Sequence, residues 1–508
     1  MSETTDSPVR YAFGVPSSHG IVLGLDIARL AVLGAGTVSA AIALMAHLPV
    51  PLAAALGACG LILTYGRVQG IPLVSWAGPV TGYLLRSASS ARRWRAPMPN
   101  APLARDINAA AAADPTTVAD GPGRQDLVLP PSWGRGELVE SKFGARSLGV
   151  ICEKRPGVFG LGAAGWHLTA VVEVASSLAF ALRPRHEQVE AIGAWAAVLS
   201  ETCAEAGAVH ALQWIERQVP DVAGDAAAWM ATHVADDVAP ERVEDYAALL
   251  DRLDAKSAVH EVYVAIDVRP KGRSRDEALA EAVFEVQLIA TRLASIGFEV
   301  TPLPGSGLAS LLRATAEGVA RAALPPRDSV GPLVMAHDEH WDAVHADRLW
   351  HRSLCVAAWP RTEVGPAWLE PLLVAQTPGA IRTLAVHLHP TAPSRSRRRV
   401  TVRRTTAEAN LEQRRRRGWL VGAQERREVE EAARRDAELV AGYGEHRIAA
   451  VVTVSGPTRE ALEAATRNVE AAAGRSGMAL RVLYGRQADG LAATLPLCRL
   501  SMRSTGGF

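Results

Sequence analysis

The sequence predicts an N-terminal transmembrane helical hairpin followed by an α+β cytoplasmic region of ferredoxin-like units with one long charged helix. Two uncharged apolar runs lie near the N-terminus, strand and helix patterns alternate through most of the remaining chain, and an arginine-rich stretch interrupts them. The 508 residues suffice for two or three domains. The predicted segments are a cytoplasmic tail (1–29), the transmembrane hairpin (30–66), an amphipathic juxtamembrane segment (67–95), a linker (96–124), an α/β domain (125–390), an arginine-rich helix (391–442) and a C-terminal α/β unit (443–508).

The hairpin prediction depends on the two apolar runs. Residues 30–48 contain no charged side chain, and 19 residues in a helix nearly cross a hydrocarbon core of roughly 30 Å. Residues 52–66 are also uncharged but shorter, so they cross only with their flanks or with local thinning of the bilayer. A cleaved signal peptide and a buried hairpin of a soluble domain are the alternatives. The first apolar run starts too far from the N-terminus for a signal peptide and is followed by a second run, and both runs contain many small residues. These features favour two helices packed in lipid.

Arginines flank the hairpin on both sides, whereas its connection contains only His47. The positive-inside rule therefore predicts that both flanks, and with them both chain termini, lie on the cytoplasmic side of the inner (plasma) membrane. The flanking arginines are Arg10 and Arg29 before the hairpin, and Arg67, Arg86, Arg92, Arg93 and Arg95 after it.

The segment after the hairpin mixes aromatic side chains with arginines, which is typical of chains that lie on a membrane surface. We expect it to lie on the inner surface of the membrane. The predicted membrane-interface residues are Arg67, Pro72, Trp76, Tyr83, Arg92, Arg93, Trp94 and Arg95. Residues 96–124 combine Pro, Gly, Ala and Asp without apolar periodicity and predict a linker.

Strand and helix patterns then alternate to the end of the chain, in an order that resembles split βαβ units of the ferredoxin-like kind. Strands are predicted within 136–157, 166–177, 208–218, 259–270, 349–359, 380–389, 447–456 and 478–485. Helices are predicted at 183–207, 221–235, 240–257, 274–297, 306–323 and 458–476.

The arginine-rich stretch has fourteen arginines between Arg395 and Arg435 and only two glycines, Gly418 and Gly422, so it predicts a long exposed helix. A solvated arm, a contact with an acidic partner subunit or anionic lipid, and a nucleic-acid contact are the three interpretations. Nucleic acid is disfavoured because Trp419 is the one aromatic residue available for stacking, and because the whole chain has a net charge of only +1. The candidate partner-binding residues are Arg414, Arg415, Arg416 and Arg417.

Two motifs resemble nucleotide-binding sites but lack their context. Gly160, Gly162 and Gly165 match GxGxxG, yet a strand follows where a helix is required, so a glycine-rich turn is predicted. Asp267 ends a strand as the magnesium-binding acid of P-loop ATPases does, but the chain contains no GxxxxGK[ST] sequence. We therefore expect Asp267 to be an ordinary strand end.

Histidines and cysteines give no recognised metal or catalytic pattern. The region 337–351 carries four histidines among acidic residues (His337, His340, His345 and His351), but without HExxH or another zinc spacing. His387 and His389 share a strand face and supply too few ligands alone. The five cysteines are far apart, and no nucleophile elbow is present. We predict no cofactor, no metal and no enzymatic activity.

The hairpin and the Arg67, Gly70, Pro72, Leu73 and Trp76 that follow it resemble the PrgI-like membrane proteins of Gram-positive type IV secretion and conjugation systems. The later part resembles the N-terminal, non-ATPase half of the conjugation ATPase, above all in the run at 483–497. The motor half of that ATPase is missing here. The resemblance therefore implies an actinobacterial fusion protein that acts as a non-catalytic scaffold, oligomeric within a complex that contains a separate secretion ATPase and other membrane subunits.

Two other functions are kept as alternatives. The E component of the type VII (ESX) secretion core also has two N-terminal spans followed by a cytoplasmic domain. A membrane-tethered enzyme of envelope metabolism would require a pocket with converging titratable groups, which the sequence does not display.

Overall fold

The computed structural model describes residues 11, 13, 27–89, 91–97, 124–155, 165–175, 180–205, 207–220, 230, 233–235, 238–254, 258–271, 274–324, 332–375, 379–416, 418 and 422–500. Most of the predicted linker, most of the predicted helix at 221–235, and Gly160 and Gly162 of the glycine-rich turn lie outside these residues; Gly165 begins a strand.

The described residues form twelve α-helices: α1 (Ile27–Met45), α2 (Val50–Tyr65), α3 (Leu73–Ala88), α4 (Arg185–Glu201), α5 (Pro240–Asp254), α6 (Arg275–Ser295), α7 (Gly305–Glu317), α8 (Glu370–Leu373), α9 (Pro393–Arg416), α10 (Ala423–Val440), α11 (Arg459–Arg475) and α12 (Gln487–Thr494). They also form sixteen strands: β1 (Arg67–Val68), β2 (Ile71–Pro72), β3 (Arg93–Arg95), β4 (Arg124–Leu127), β5 (Gly136–Phe143), β6 (Arg146–Arg155), β7 (Gly165–Ala175), β8 (Val209–Pro220), β9 (Ala258–Val268), β10 (Glu299–Pro302), β11 (Ala336–Glu339), β12 (Val344–Ala346), β13 (Leu349–Ala358), β14 (Ile381–Thr391), β15 (Glu445–Gly456) and β16 (Ala479–Val482).

Helices α1 and α2 form an antiparallel apolar pair at the N-terminus. Residues 28–45 of α1 are long and apolar enough to cross a membrane, whereas α2 is apolar but shorter. The two backbones approach most closely at Gly36 and Gly60, where a Cβ on Gly36 would lie 2.8 Å from the Cα of Gly60. Glycine is thus required for this contact, as at close helix crossings in membranes.

Fourteen strands form one open antiparallel sheet, in the order β3-β11-β12-β13-β15-β14-β8-β9-β7-β6-β5-β4. Strand β10 pairs with β7 and strand β16 with β13, each beside the main path. The predicted mixed α and β class is confirmed. The ferredoxin-like units are not confirmed and stay a prediction. Strands β8 and β14 pair over seven residues and join both halves into a single sheet.

The sheet contains an internal duplication. The order β6-β7-α4-β8-α5-β9-α6-β10-α7 in the first half recurs in the second half as β12-β13-α8-β14-α9-α10-β15-α11-β16-α12. The equivalent strands β8 and β14 meet at the centre, where Ile215 lies opposite Ala385. The two halves are therefore related by an approximate twofold axis through this pair of strands.

Helices cover both faces of the sheet. Helices α7 and α12 lie on one face and share a core that includes Leu308, Leu491 and Ile215. Helices α4 and α6 cover the other face in the first half, and α8 and α11 cover it in the second half. The sheet curls around α7 and α12 so that its two ends approach each other. Leu333 donates a backbone hydrogen bond of 3.5 Å to Val128 near the opposite end.

The arginine-rich stretch forms two helices instead of the predicted single helix. Helices α9 and α10 pack against each other, and Arg404 of α9 lies 2.7 Å from Asp436 of α10. Gly418, between them, has φ +69°, a conformation that favours glycine and breaks a helix. We call this pair of helices the arm. It connects β14 to β15.

Candidate membrane-proximal site

Helix α3, the first long element after the hairpin, docks in a notch at the edge of the sheet. Pro72 precedes it in extended conformation and sets its start. The edge of β13 is shared by two short strands, β12 beside residues 349–351 and β16 beside residues 354–358. The turns that adjoin these strands, at 340–343 and 484–485, line the notch between them.

Aromatic rings fill the notch. Trp76 of α3 stacks on Trp341 with a centroid distance of 6.2 Å, and Trp341 stacks in turn on Tyr484 at 6.2 Å. Tyr83, two turns further along α3, contacts Trp341 edge to face at 5.1 Å. The guanidinium of Arg92 lies 4.8 Å above the Tyr83 ring. Such contacts each contribute about 0.5–1.5 kcal/mol beyond apolar burial.

An ion pair joins α3 to the buried end of the sheet. Arg86 Nε lies 2.9 Å from a carboxylate oxygen of Glu339, whose side chain is 2% exposed. The other carboxylate oxygen accepts a hydrogen bond of 3.2 Å from the backbone N–H of Ala488, in the first turn of α12. Burial raises the pKa of Glu339, and Arg86 opposes this shift. The carboxylate therefore links α3 to the positive end of α12.

Strand β3 continues this attachment. It pairs antiparallel with β11, and Trp94 packs against the core around α7 and α12. Arg93 lies 3.3 Å from Asp338. Gly485, which accepts a hydrogen bond from Arg86, has φ +66°, and a Cβ there would lie 2.6 Å from the Trp341 ring.

The predicted membrane-interface residues thus lie mainly against the sheet. Contacts with the α/β region or with α3 involve Trp76, Tyr83, Arg92, Arg93 and Trp94. Pro72 ends β2, and Arg67 and Arg95 are exposed. Their position at the membrane surface stays a prediction; the notch offers the rings apolar contacts, and Asp338 offers Arg93 a carboxylate partner.

The N-terminal tail also contacts the α/β region. Tyr11 and Val364 exchange two backbone hydrogen bonds of 2.9 Å. The Phe13 ring stacks on Trp359 at 5.3 Å and contacts Trp368 edge to face at 4.9 Å. Sequence analysis missed this contact, and the only available signal was a pair of aromatic residues two positions apart before the first apolar run.

The arm presents the candidate partner-binding arginines at the end of α9. Arg415 and Arg416 are exposed, and Arg416 lies 2.9 Å from Glu412 one turn earlier. Arg414 belongs to α9, and Arg417 lies outside the described residues. The other end of α9 is fixed by Arg399, which lies 3.0 Å from Glu445 of β15.

The histidines between residues 337 and 351 do not converge. His337 and His351 are buried, and burial lowers their pKa to about 4 and about 3. His340 and His345 both pack against the Trp350 ring, at 5.1 and 4.6 Å. In the described part of the chain, no group of three His, Cys, Asp or Glu residues is arranged to hold a metal ion.

Buried charges at the centre of the sheet are paired. Arg382 Nη2 donates to both carboxylate oxygens of Glu216, at 2.7 and 2.8 Å, and connects the equivalent strands β8 and β14. Arg217 donates to Glu261 on β9 and to two backbone carbonyl oxygens, at Ala314 and Val319. This geometry suits structural pairs that fix strand register.

The free thiols are not activated in the way a nucleophile requires. Burial raises the pKa of Cys152 to about 11, and it also raises the pKa of Cys203, Cys355 and Cys498. A shallow cavity of about 400 Å³ beside residues 358–362 and 474–479 has Arg361 as its one titratable lining residue. Neither feature supplies a pair of catalytic groups.

One family model matches part of the chain. Residues 249–356 match the model described as "Putative type VII ESX secretion system translocon, EccE". The matched stretch is about one fifth of the chain and runs from the end of α5 to β13. No curated protein matches the sequence. The model that matches belongs to a type VII system, so the type IV resemblance receives no support from it. Over residues 249–356, the chain is similar to the EccE family of the type VII ESX secretion system translocon.

Proposed function

We propose that this chain is a non-catalytic, membrane-anchored scaffold subunit of a type VII (ESX)-like secretion translocon. The observation that carries the proposal is the EccE match at residues 249–356. This stretch includes Glu339 and Trp341, the two residues that receive Arg86 and Trp76 of α3. The matched region is thus the one that holds the membrane anchor.

The hairpin places the folded region at the cytoplasmic face in this proposal. Tyr11 and Phe13 precede the hairpin and contact residues 359–368, which follow it. Segments in contact lie on the same side of a membrane, which requires an even number of crossings between them. The arginines on both flanks favour the cytoplasmic side. Both termini are then cytoplasmic.

The fixed attachment of α3 supports a scaffold rather than a flexible tether. A tether would need only a linker, whereas here an aromatic stack, an ion pair and strand β3 join the membrane segment to the sheet. A force or displacement in the membrane complex would reach the sheet through these contacts. In this function the sheet and the arm bind a secretion ATPase and the other membrane subunits.

A type IV scaffold is the second candidate, and one observation favours it. The resemblance to PrgI-like proteins lies in the hairpin and in Arg67, Pro72 and Trp76, which are outside the matched stretch. Both candidates predict the same topology and a separate ATPase. They differ in which ATPase binds.

Purification of the full chain from its native membranes in mild detergent tests the proposal. We expect a type VII ATPase to co-isolate with it. Recovery of a conjugation ATPase instead would support the type IV candidate and overturn the type VII assignment. A monomer that turns over a small molecule would overturn both scaffold candidates.

A further inference from the structure

The internal duplication places two long connections at equivalent positions in the two halves. Residues 221–257 join β8 to β9, and residues 392–444 join β14 to β15. The first connection contains nine carboxylates and three basic side chains, a net charge of −6. The second contains fourteen arginines and eight carboxylates, a net charge of +6. Equivalent connections of one chain thus carry opposite charge.

The two connections leave the sheet at opposite ends. Strands β8 and β14 are antiparallel, so Gln218 lies opposite Arg382 at one end of the pair, and Leu212 lies opposite Leu388 at the other. The acidic connection follows residue 220 and the basic connection follows residue 391. A twelve-residue strand such as β8 separates the two exits by about 36 Å. The acidic connection of one chain therefore leaves the sheet far from the point where its own arm leaves it.

Helix α5, in the acidic connection, presents acids and apolar side chains on an uncovered surface. Glu241, Asp245 and Leu249 follow one another at four-residue spacing and form one row along the helix. Tyr246 is 49% exposed and Leu249 is 42% exposed. Large apolar side chains at this exposure, beside carboxylates, are typical of a surface that binds a partner.

Helix α9 of the arm presents the complementary pattern. Arg395, Arg398 and Val402 follow one another at helical spacing, and all three are exposed. Val402 is 59% exposed. The opposite side of α9 is covered by α10, where Val400 and Ala432 are buried. The two arginines and the valine of α9 thus complement the two carboxylates and the leucine that form the row on α5.

The arginines of α9 are placed where a helix disfavours them. Arg395 lies in the first turn, and Arg397, Arg398 and Arg399 lie in the second. The positive end of the helix dipole repels cations there by roughly 0.3–1 kcal/mol for a residue in the first turn. Within the chain, Glu205 and Glu445 offset part of this repulsion, because Glu205 accepts hydrogen bonds from Ser394 and Glu445 pairs with Arg399.

We propose that α5 of one copy of this chain docks against the Arg395, Arg398 and Val402 face of α9 in a second copy. Since each copy carries both surfaces at opposite ends, the contact is head to tail and builds a ring or a row of copies. The membrane segment attaches through β3 and β11 at one end of the sheet, whereas both connections leave from the central strands β8 and β14. This proposal does not depend on the secretion function.

Charge reversal of each surface tests the contact in the full chain purified in detergent. One variant carries Arg395→Glu and Arg398→Glu, and the other carries Glu241→Arg and Asp245→Arg. At low salt we expect the unaltered protein to form oligomers by sedimentation, and each variant to associate at least ~10-fold more weakly. An equimolar mixture of the two variants places opposite charges at both types of contact, because the intact α5 meets the intact α9 and the reversed α5 meets the reversed α9. Association should therefore recover in the mixture relative to either variant alone.

Matched controls reverse exposed charges elsewhere. Glu463→Arg and Arg467→Glu lie on the outer face of α11 and should leave association unchanged. Circular dichroism verifies that each variant is folded; acids in the first turns of α9 should not weaken that helix. A monomeric unaltered protein, unchanged association in both variants, or a mixture that associates no more strongly than either variant alone would each overturn the proposal. Loss of binding to anionic vesicles by the arm variant, with self-association intact, would assign the arm to lipid and overturn it as well.

Discussion

Arg86 and Glu339 form an ion pair of 2.9 Å between the helix that follows the hairpin and the innermost part of the sheet edge. The arginine is partly exposed, whereas the carboxylate is almost completely buried and also binds the N-terminus of α12. Because α12 lies in the core that both halves of the sheet enclose, this pair connects the segment after the hairpin to the centre of the fold.

Replacement of Arg86 by alanine should destabilise the protein by about 2–3 kcal/mol, since it leaves a buried carboxylate without its cation. Burial already raises the pKa of Glu339, and the loss of Arg86 raises it further. The loss in the free energy of unfolding should therefore be largest at neutral pH, and it should shrink as the pH falls and Glu339 becomes protonated. Urea unfolding followed by tryptophan fluorescence at several pH values measures both effects.

Arg292→Ala is the control for this prediction, because it removes a half-exposed pair with Glu201 and should cost less than about 1 kcal/mol. Adding Glu339→Gln to Arg86→Ala should restore part of the stability, since a neutral amide needs no counter-ion. Equal losses in the Arg86 and Arg292 variants would show that the junction pair contributes no more than a surface pair.

Replacement of Trp341 by alanine should release α3 while leaving the remaining sheet folded. Trp341 contacts Trp76, Tyr83 and Tyr484, whereas Tyr484 contacts Trp76 alone among the rings of α3 in the described part of the chain. Loss of about 2–3 kcal/mol of local stability would speed hydrogen exchange in residues 73–95 by roughly 30- to 150-fold. Exchange in α11 should not change.

Phe284→Ala supplies the matched control, because Phe284 is 65% exposed on α6 and contacts neither α3 nor the notch. Faster exchange throughout the sheet of the Trp341 variant would mean that the ring supports the whole fold and not the junction alone.

Helices α1 and α2 and most strands were predictable because their signals are local. Uncharged apolar runs specify the two helices, of which α1 alone is long and apolar enough to be a candidate span in the described residues, and β-branched runs such as the one in β9 specify a buried strand. The pairing of β8 with β14 was not predictable, since it depends on residues about 170 positions apart. The duplication was hidden for the same reason, together with the different lengths of its connections.

The position of α3 was not decided by its sequence. Trp76, Tyr83 and Arg86 have apolar bodies and polar ends, which suit the headgroup layer of a membrane and equally suit a notch lined by Trp341 and Glu339. The prediction of a single arginine-rich helix was wrong for a local reason. Gly418 permits a turn, and this turn lets α9 and α10 pack against each other.

The contact between the N-terminal tail and the sheet predicts the membrane topology. In a Cys59→Ser background, Tyr11→Cys and Val364→Cys should form an intramolecular disulfide when isolated membranes are oxidised, since opposed strand residues have suitable Cα separations. Leu48→Cys, in the connection between α1 and α2, should react with an impermeant maleimide from outside the cell.

Tyr11→Cys paired with Leu288→Cys on α6 is the negative control for the disulfide. Labelling of residue 11 from outside the cell would contradict the proposed topology, whatever the result at residue 48.

The arm tip offers a separate test of partner binding. Arg415→Glu with Arg416→Glu should reduce co-isolation of the other translocon subunits several-fold if the exposed end of α9 binds one of them. Stability should change by less than about 0.5 kcal/mol, because both side chains are exposed. Arg467→Glu on α11 is the control. Unchanged co-isolation would identify the tip as a solvated helix end.

On acidification, this protein should unfold at a pH well above the pH at which its surface carboxylates become protonated. Burial lowers the pKa of His387 from 6.5 to about 4, and His210, His337, His351 and His446 are shifted in the same direction by the same cause. The unfolded chain binds protons at these residues below about pH 6.5, whereas the folded chain does not. The stability that these histidines contribute is therefore fully present above pH 6.5. It is lost as the pH falls toward 4, by roughly 1.4 kcal/mol per pH unit for each such histidine.

The variant His387→Gln tests this prediction. Glutamine keeps a donor for the carbonyl oxygen of Ala493, which lies 2.7 Å from the imidazole, but it cannot bind a proton in the unfolded state. Its urea midpoint should fall less steeply between pH 6 and pH 5, by about one proton, whereas the exposed His186→Gln should leave the slope unchanged. An unchanged slope in the His387 variant would mean that this histidine is already protonated in the folded protein.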